Sequence, residues 1–199
     1  MKLLQINSGI FTENSQSTQL ADQFAQQWLA QNPGSERIVR DLIAEPVPHL
    51  DANIITAFAT EAEQRSAEQV VVHESSMKLI EELQQADAVV LGVPMYNFAV
   101  PSQLKAYFDH IARAGITFRY TENGPVGLLA DKPVYVLAAR GGIHKDQPTD
   151  TQTGFIKTIL GFMGLQNVEI IYAEGLNMGD EAKAKGLDEA KQQMQAVFA

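Results

Sequence analysis

Three short stretches of the chain carry groups suited to gripping a small molecule. Ser15-Gln16-Ser17-Thr18 stands where a helix opens. Unbonded N–H groups and the helix dipole make such a point a seat for phosphate, and the hydroxyls of Ser15, Ser17 and Thr18 add donors without any Lys or Arg. The plainer account is N-capping by Ser15 or Ser17, which is common. The stretch is neither G-x-G-x-x-G nor G-x-x-x-x-G-K-[ST], which weighs against a dinucleotide fingerprint and a P-loop. The second stretch, Met95-Tyr96-Asn97-Phe98-Ala99-Val100, lies between Pro94 and Pro101. Two aromatics, a methionine and an amide suit a platform for a flat, heteroatom-bearing ring; the plainer account is that Tyr96 and Phe98 cap the core. The third is Arg140-Gly141-Gly142-Ile143-His144, whose Gly-Gly pair lets the backbone approach a ligand closely and aim its N–H groups at an acceptor.

Each stretch follows an apolar run. Leu3–Ile6, Ala88–Val93 and Pro133–Ala139 read as buried strands, and Pro94 should end the second of these because it cannot donate to a ladder. Glu36–Leu42 alternates charged and apolar residues, as a strand nearer the sheet edge does, and Val168–Tyr172 is a fifth strand. Helices intervene: Leu20, Phe24 and Trp28 recur at helical spacing, as do Leu104, Tyr107, Phe108 and Ile111 after Pro101. The same spacing appears in Phe155, Ile159 and Phe162, and in Leu187, Ala190, Met194 and Val197 from about Asp180. Ile54 to Gln85 is polar and Ala-rich and reads as helix. Thr117–Thr121 and Val126–Leu128, joined by the turn Glu122-Asn123-Gly124-Pro125, read as a small hairpin outside the sheet. Five βα units predict an α/β, doubly wound five-stranded parallel sheet of order 2-1-3-4-5 with helices on both faces. In that order the loops after strands one, three and four share the carboxyl-end rim, where open α/β sheets bind ligands. Three marked loops on one rim favour a ligand with a phosphate and a flat ring.

Composition narrows the partners. With 199 residues, 45% hydrophobic and 20% charged, the chain reads as one domain over residues 1–199. The formal net charge of −9 argues against nucleic acid, which needs a basic stripe. The absence of cysteine excludes disulfides, thiolate nucleophiles and Cys-based metal sites. No signal peptide or membrane span is evident, so the expected location is the cytoplasm.

The motifs themselves are distinctive. SQS at the first helix, PMYNF after the third strand, TFRYTENGP in the hairpin and RGGIHKD after the fourth strand resemble the FMN-dependent NADH-azoreductases, which also reduce quinones. The resemblance covers essentially the whole chain. It implies a flavodoxin-like fold and a homodimer with one FMN per subunit and active sites at the dimer interface. It also implies two-electron, ping-pong hydride transfer from NADH through FMN to quinones and aromatic azo compounds, the azo bond being cleaved to amines. By position, Ser15, Gln16 and Ser17 would hold the FMN phosphate. Met95, Tyr96, Asn97 and Phe98 would lie against the isoalloxazine, and Ala139, Arg140, Gly141 and Gly142 along its pyrimidine side. Family members often carry a second serine after strand one; the pair here is Ser8-Gly9, so that side-chain contact would be either lost or passed to a backbone N–H. A serine commonly precedes the Arg-Gly-Gly, and Ala139 stands there. Phe118 and Tyr120 would wall the substrate pocket, from the partner subunit. His144 is the candidate proton donor, with a structural hydrogen bond as the alternative, and no side chain is assigned as an essential acid. The rival reading is a flavodoxin-type electron carrier that holds FMN but does not oxidise NADH efficiently. A receiver-type signalling domain would need carboxylates where strand one ends in Asn7-Ser8-Gly9, and a scaffold that had lost its flavin would not keep these loops.

Overall fold

The computed structural model describes residues 1–199. The elements run β1 (Lys2–Asn7), α1 (Gln16–Gln31), β2 (Glu36–Asp41), α2 (Ala52–Ala59), α3 (Ala67–Gln85), β3 (Ala88–Pro94) and α4 (Ser102–Ile111). They continue with β4 (Phe118–Thr121), β5 (Gly124–Gly127), β6 (Val134–Ala139), α5 (Thr151–Met163), β7 (Val168–Ala173) and α6 (Asp180–Val197). The main sheet is five-stranded and parallel, in the order β2-β1-β3-β6-β7, while β4 and β5 form a separate antiparallel hairpin. Counting only the strands of the main sheet, this is the 2-1-3-4-5 order.

Alternation within the strands builds two cores. Leu3, Ala88, Val90, Leu137 and Ile171 face α1 and α6 and pack with Leu20, Phe24, Trp28 and Met194. Leu4, Ile6, Val89, Leu91 and Val136 face the other way, onto Leu79, Leu83, Leu104, Phe108, Ile156 and Leu160 of α3, α4 and α5. All seven residues of β3 are buried, which is why its sequence is continuously apolar and not alternating.

The helical reading of Ile54 to Gln85 resolves into two helices. The chain leaves α2 at Thr60 and restarts α3 with a capping box, in which Ser66 Oγ accepts from Gln69 N and the Gln69 side chain accepts from Ser66 N. Pro101 sits one place earlier than the first helical turn, as the residue preceding Ser102 with extended backbone (ψ 144°). β3 does end on Pro94, which aligns with Ala139 of β6, and Ala139 aligns with Ala173 of β7. β3, β6 and β7 therefore end level, while β1, whose Asn7 aligns with Gly92, ends two residues earlier on the same rim. At Gly92 an added Cβ would stand 2.9 Å from the Ser17 carbonyl oxygen, so a glycine in β3 lets the first turn of α1 settle directly on the sheet.

Candidate functional site

The start of α1 is an unusual helix terminus. Ser15 occupies the N-cap position in extended backbone, yet its side chain caps nothing. The N–H groups of Gln16, Ser17 and Thr18 have no partner in the protein, and neither does that of Gly9. Ser15 Oγ instead lies 3.0 Å from Ser17 Oγ, both residues being buried. Thr18 Oγ1 is buried without a partner. Buried polar groups are normally bonded, so a cluster of free amides and hydroxyls at a dipole's positive end is built to receive an oxyanion. Gly9 makes the arrangement possible: a Cβ there would fall 2.1 Å from Ser15 Oγ and 2.5 Å from Ser15 Cβ. Ser8 lies behind the site, fully buried, its Oγ donating to the Gly92 carbonyl at 2.7 Å.

The loop after β3 is a two-residue turn. Tyr96 N donates to Ala99 O at 3.1 Å and Ala99 N to Tyr96 O at 3.0 Å. Asn97 and Phe98 between them have φ of 49° and 67°. That left-handed conformation is uncommon for a bulky residue such as phenylalanine and costs about 1–2 kcal/mol, so the surroundings must hold it. They do: Thr151 Oγ1 donates to Phe98 O, and Gln152 Nε2 donates to Pro94 O at 2.9 Å and Ala99 O at 3.3 Å. Tyr96 crosses to the first loop, its hydroxyl accepting from Ile10 N at 3.3 Å. The half-exposed Phe98 ring meets His144 edge-on, centroids 5.7 Å apart.

In the loop after β6, Arg140 turns its side chain inward. The guanidinium is paired with Asp150 and Glu174 and lies over the Tyr172 ring, so only the Arg140 backbone faces the rim. Burial pushes the Asp150 carboxyl up, but hydrogen bonds from Arg140 and Thr153 outweigh it and hold the group below the usual carboxylate range. Gly141 and Gly142 keep free N–H groups. A Cβ on Gly141 would meet the Asn177 amide nitrogen at 2.6 Å, and one on Gly142 would meet His144 Nε2 at 2.9 Å. His144 Nδ1 is 2.9 Å from Thr149 Oγ1.

A cleft of about 220 Å³ brings these parts together: Ser15, Gln16 and Ser17; Met95 and Tyr96; Ala139, Arg140 and Gly141. A second, of about 630 Å³, adjoins it across Met95 and Tyr96 and reaches Asn97 and Ile10. Five lining residues were not among the site residues read from the sequence: Phe11, Asn14, Pro94, Leu176 and Asn177. The last two belong to the loop after β7, which follows a strand end on the same rim; that position was the available signal. Phe118 and Tyr120 are not brought to this cleft. Phe118 is buried against Phe162, centroids 4.2 Å apart, near the far end of α5, and Tyr120 is 73% exposed. α5 has 13 residues and runs away from the rim for about 20 Å. A separate cavity of about 340 Å³, lined by Arg40, Val47, Leu79 and His110, opens beneath the 46–48 loop, but Arg40 there is already paired with Glu45 and Glu82.

Comparison with known proteins agrees with this geometry. A family model described as flavodoxin-like fold matches residues 1–198. A protein from Cellvibrio japonicus named FMN-dependent NADH:quinone oxidoreductase is 59% identical over 196 residues, 98% of each chain. One of the same name from Burkholderia pseudomallei is 52% identical over 195 residues, again 98% of each. Among solved structures, an azoreductase from Bacillus anthracis superposes with a TM-score of 0.86 at 28% identity, covering 98% of both chains. An FMN-dependent NADH-azoreductase from the same species, in complex with FMN, gives 0.87 at 25% identity, with 98% of both chains covered.

Proposed function

The chain belongs to the flavodoxin-like family of FMN-dependent NADH:quinone oxidoreductases, and from that membership we propose how its cleft does the work. The protein is an oxidoreductase that uses FMN to pass two electrons from NADH to quinones and aromatic azo compounds. One observation carries the assignment to this cleft: it is lined by Gln16 and Ser17 from the start of α1, by Gly141 from the loop after β6, all with unpartnered amides, and by Met95 and Tyr96, while the free amides of Thr18 and Gly142 adjoin them in sequence. That donor set matches a phosphate at one end and a heterocyclic edge at the other.

Gln16, Ser17 and Thr18 would hold the phosphate through backbone N–H groups, with the Ser15 and Ser17 hydroxyls beside them. Met95, Tyr96, Asn97 and Phe98 would support the ring system. FMN, when bound, accepts a hydride and gives up two electrons; the flavin carries the redox chemistry. The Gly141 and Gly142 N–H groups would stand along the ring's pyrimidine side and would stabilise negative charge there without having to reorganise. Asp150 and Glu174 are turned inward, paired with Arg140. NADH and the acceptor use the same open side in turn, which is the ping-pong order. His144 braces Phe98 and is tied to Thr149, and no side chain serves as an essential acid.

The active form is a homodimer in which Phe118 and Tyr120 of one copy wall the substrate side of the other copy's cleft. Their distance from their own cleft and the exposure of Tyr120 support this. The chain acts as one domain, in the cytoplasm; no helix is long and apolar enough to cross a membrane. The test is the anaerobic visible spectrum of the purified protein. A flavin spectrum that bleaches on NADH and recovers on adding a quinone is expected. A flavin spectrum that ignores NADH would mean an electron carrier, and failure to take up FMN would refute the site.

A further inference from the structure

Glu174 lies at the exit of β7, outside every motif discussed above, and its side chain makes an unusual set of contacts. One oxygen, Oε1, accepts three hydrogen bonds: from Arg140 Nη1 at 3.2 Å, from His144 N at 2.8 Å and from Lys145 N at 2.9 Å. Two of the three donors are backbone groups of the strap that leaves Gly142. The same strap is zipped to the loop after β7, since Leu176 N, Asn177 N and Gly175 N donate to the carbonyls of Arg140, Gly141 and Gly142 respectively. Upstream, Arg140 N donates to Ala173 O at 2.8 Å. The Gly141-Gly142 segment is thus held at both ends, and Glu174 Oε1 is the side-chain atom that holds the downstream end.

Diglycine has the greatest backbone freedom of any pair, so the direction of its two free N–H groups must be imposed from outside. We infer that Glu174 is a positioning residue: the bonds from Leu176 N and Asn177 N orient the peptide planes of the Gly141 and Gly142 amides, and Glu174 Oε1 anchors the strap that follows at His144 and Lys145, so that these amides stay against the flavin ring and both flavin affinity and the stabilisation of its reduced form are set. This rests on the flavin reading above. The competing account is that Glu174 merely balances the Arg140 charge. Charge alone does not require it: Arg140 is also bidentate to Asp150, with Nη2 to Oδ1 at 2.9 Å and Nη1 to Oδ2 at 3.0 Å.

Two conservative variants separate the accounts. Glu174→Gln removes the charge but keeps an oxygen that can accept all three bonds. Glu174→Asp keeps the charge but withdraws the acceptor by about one C–C bond, ~1.5 Å. Apoprotein of the natural chain and of each variant is titrated with FMN by fluorescence, and the midpoint potential of bound FMN is measured at saturation. We expect Glu174→Asp to weaken FMN binding about tenfold, the effect of losing one or two hydrogen bonds, and to lower the potential. Glu174→Gln should bind within about threefold of the natural protein and show no lowering. Equal affinities in all three proteins, a larger loss in Glu174→Gln than in Glu174→Asp, or an unchanged potential in Glu174→Asp would each overturn the inference. A natural chain that binds no FMN would instead refute the flavin reading on which it stands.

Discussion

Replacing Gly9 by alanine adds one methyl group and should disable the phosphate seat. The new carbon would sit 2.1 Å from Ser15 Oγ, 2.5 Å from Ser15 Cβ and 3.2 Å from Ser17 Oγ, where ordinary contacts begin at 3.4 Å. Rotating Ser15 about χ1 can move its hydroxyl but not its Cβ, so the backbone at the N-cap must shift by close to 1 Å. Such a shift carries with it the Ser15 hydroxyl and the neighbouring amides. Hydrogen bonds to a charged group are each worth about 1.5–3 kcal/mol. Losing or lengthening one or two of them corresponds to roughly a ten- to thousandfold rise in the FMN dissociation constant. Titration of apoprotein with FMN measures it, with a thermal melt of the apoprotein to check folding. A double-mutant cycle identifies the cause. Ser15→Gly alone should weaken binding by removing one hydroxyl. Gly9→Ala added to Ser15→Gly should cost little more, because the clashing side chain is gone. If Gly9→Ala binds FMN like the natural protein, or if its cost is undiminished in the Ser15→Gly background, the steric argument is wrong.

Three other expectations follow from the geometry. His144→Ala should lower turnover no more than about tenfold, by releasing an edge-on contact worth about 0.5–1.5 kcal/mol to Phe98, and a loss of several thousandfold in steady-state rate would mean that His144 is an essential acid. Tyr120→Ala should raise the KM for quinone while leaving FMN affinity unchanged, since Tyr120 lies outside its own chain's cleft; an FMN titration that shifts with this variant would contradict the assignment. Asp150 has its folded-state carboxyl held below the usual range, so its contribution to stability is fully present above the unfolded value near 3.8 and disappears as pH falls through the folded one. Asp150→Asn should therefore flatten the acid limb of the stability curve below about pH 4, as read by denaturant melts at successive pH values; an unchanged acid limb would show that Asp150 does not drive it.

Much of this architecture was legible because the relevant signals are short-range. A buried parallel strand writes itself as a continuous apolar run, as in β3, and a rim loop after it carries whatever the ligand needs. The break between α2 and α3 was harder. Ala, Gln and Glu around it are good helix formers, and only the Ser66–Gln69 box marks the restart. The Arg140 side chain shows the other limit. A motif fixes the residue, but Asp150 and Glu174, distant in sequence, decide that its charge goes into the interior and only its backbone faces the cleft. Ser15 is similar: the letter S before a helix reads as a cap, and only the close approach of Gly9 and Ser17 shows a hydroxyl that caps nothing.

In the proposed binding mode the cleft would meet its anionic cofactor with neutral donors, in a chain whose net charge is −9. Three cations of the neighbouring loops and helices have other partners: Arg140 pairs with Asp150 and Glu174, Lys105 with Asp109, and Lys145 lies over the Tyr172 ring. The phosphate end then depends on oriented amides at a helix terminus, whose field acts over the first turn and fades beyond it. That short range separates two tasks that a guanidinium in the cleft would merge. The phosphate end can hold its charge permanently, while the opposite end, at Gly141 and Gly142, offers dipoles suited to a charge that appears only on reduction. A fixed positive charge between them would favour the reduced flavin so strongly that it would give up its electrons reluctantly. A cleft lined by neutral dipoles, as proposed here, would keep the cofactor's potential low enough for electrons to pass on to a quinone.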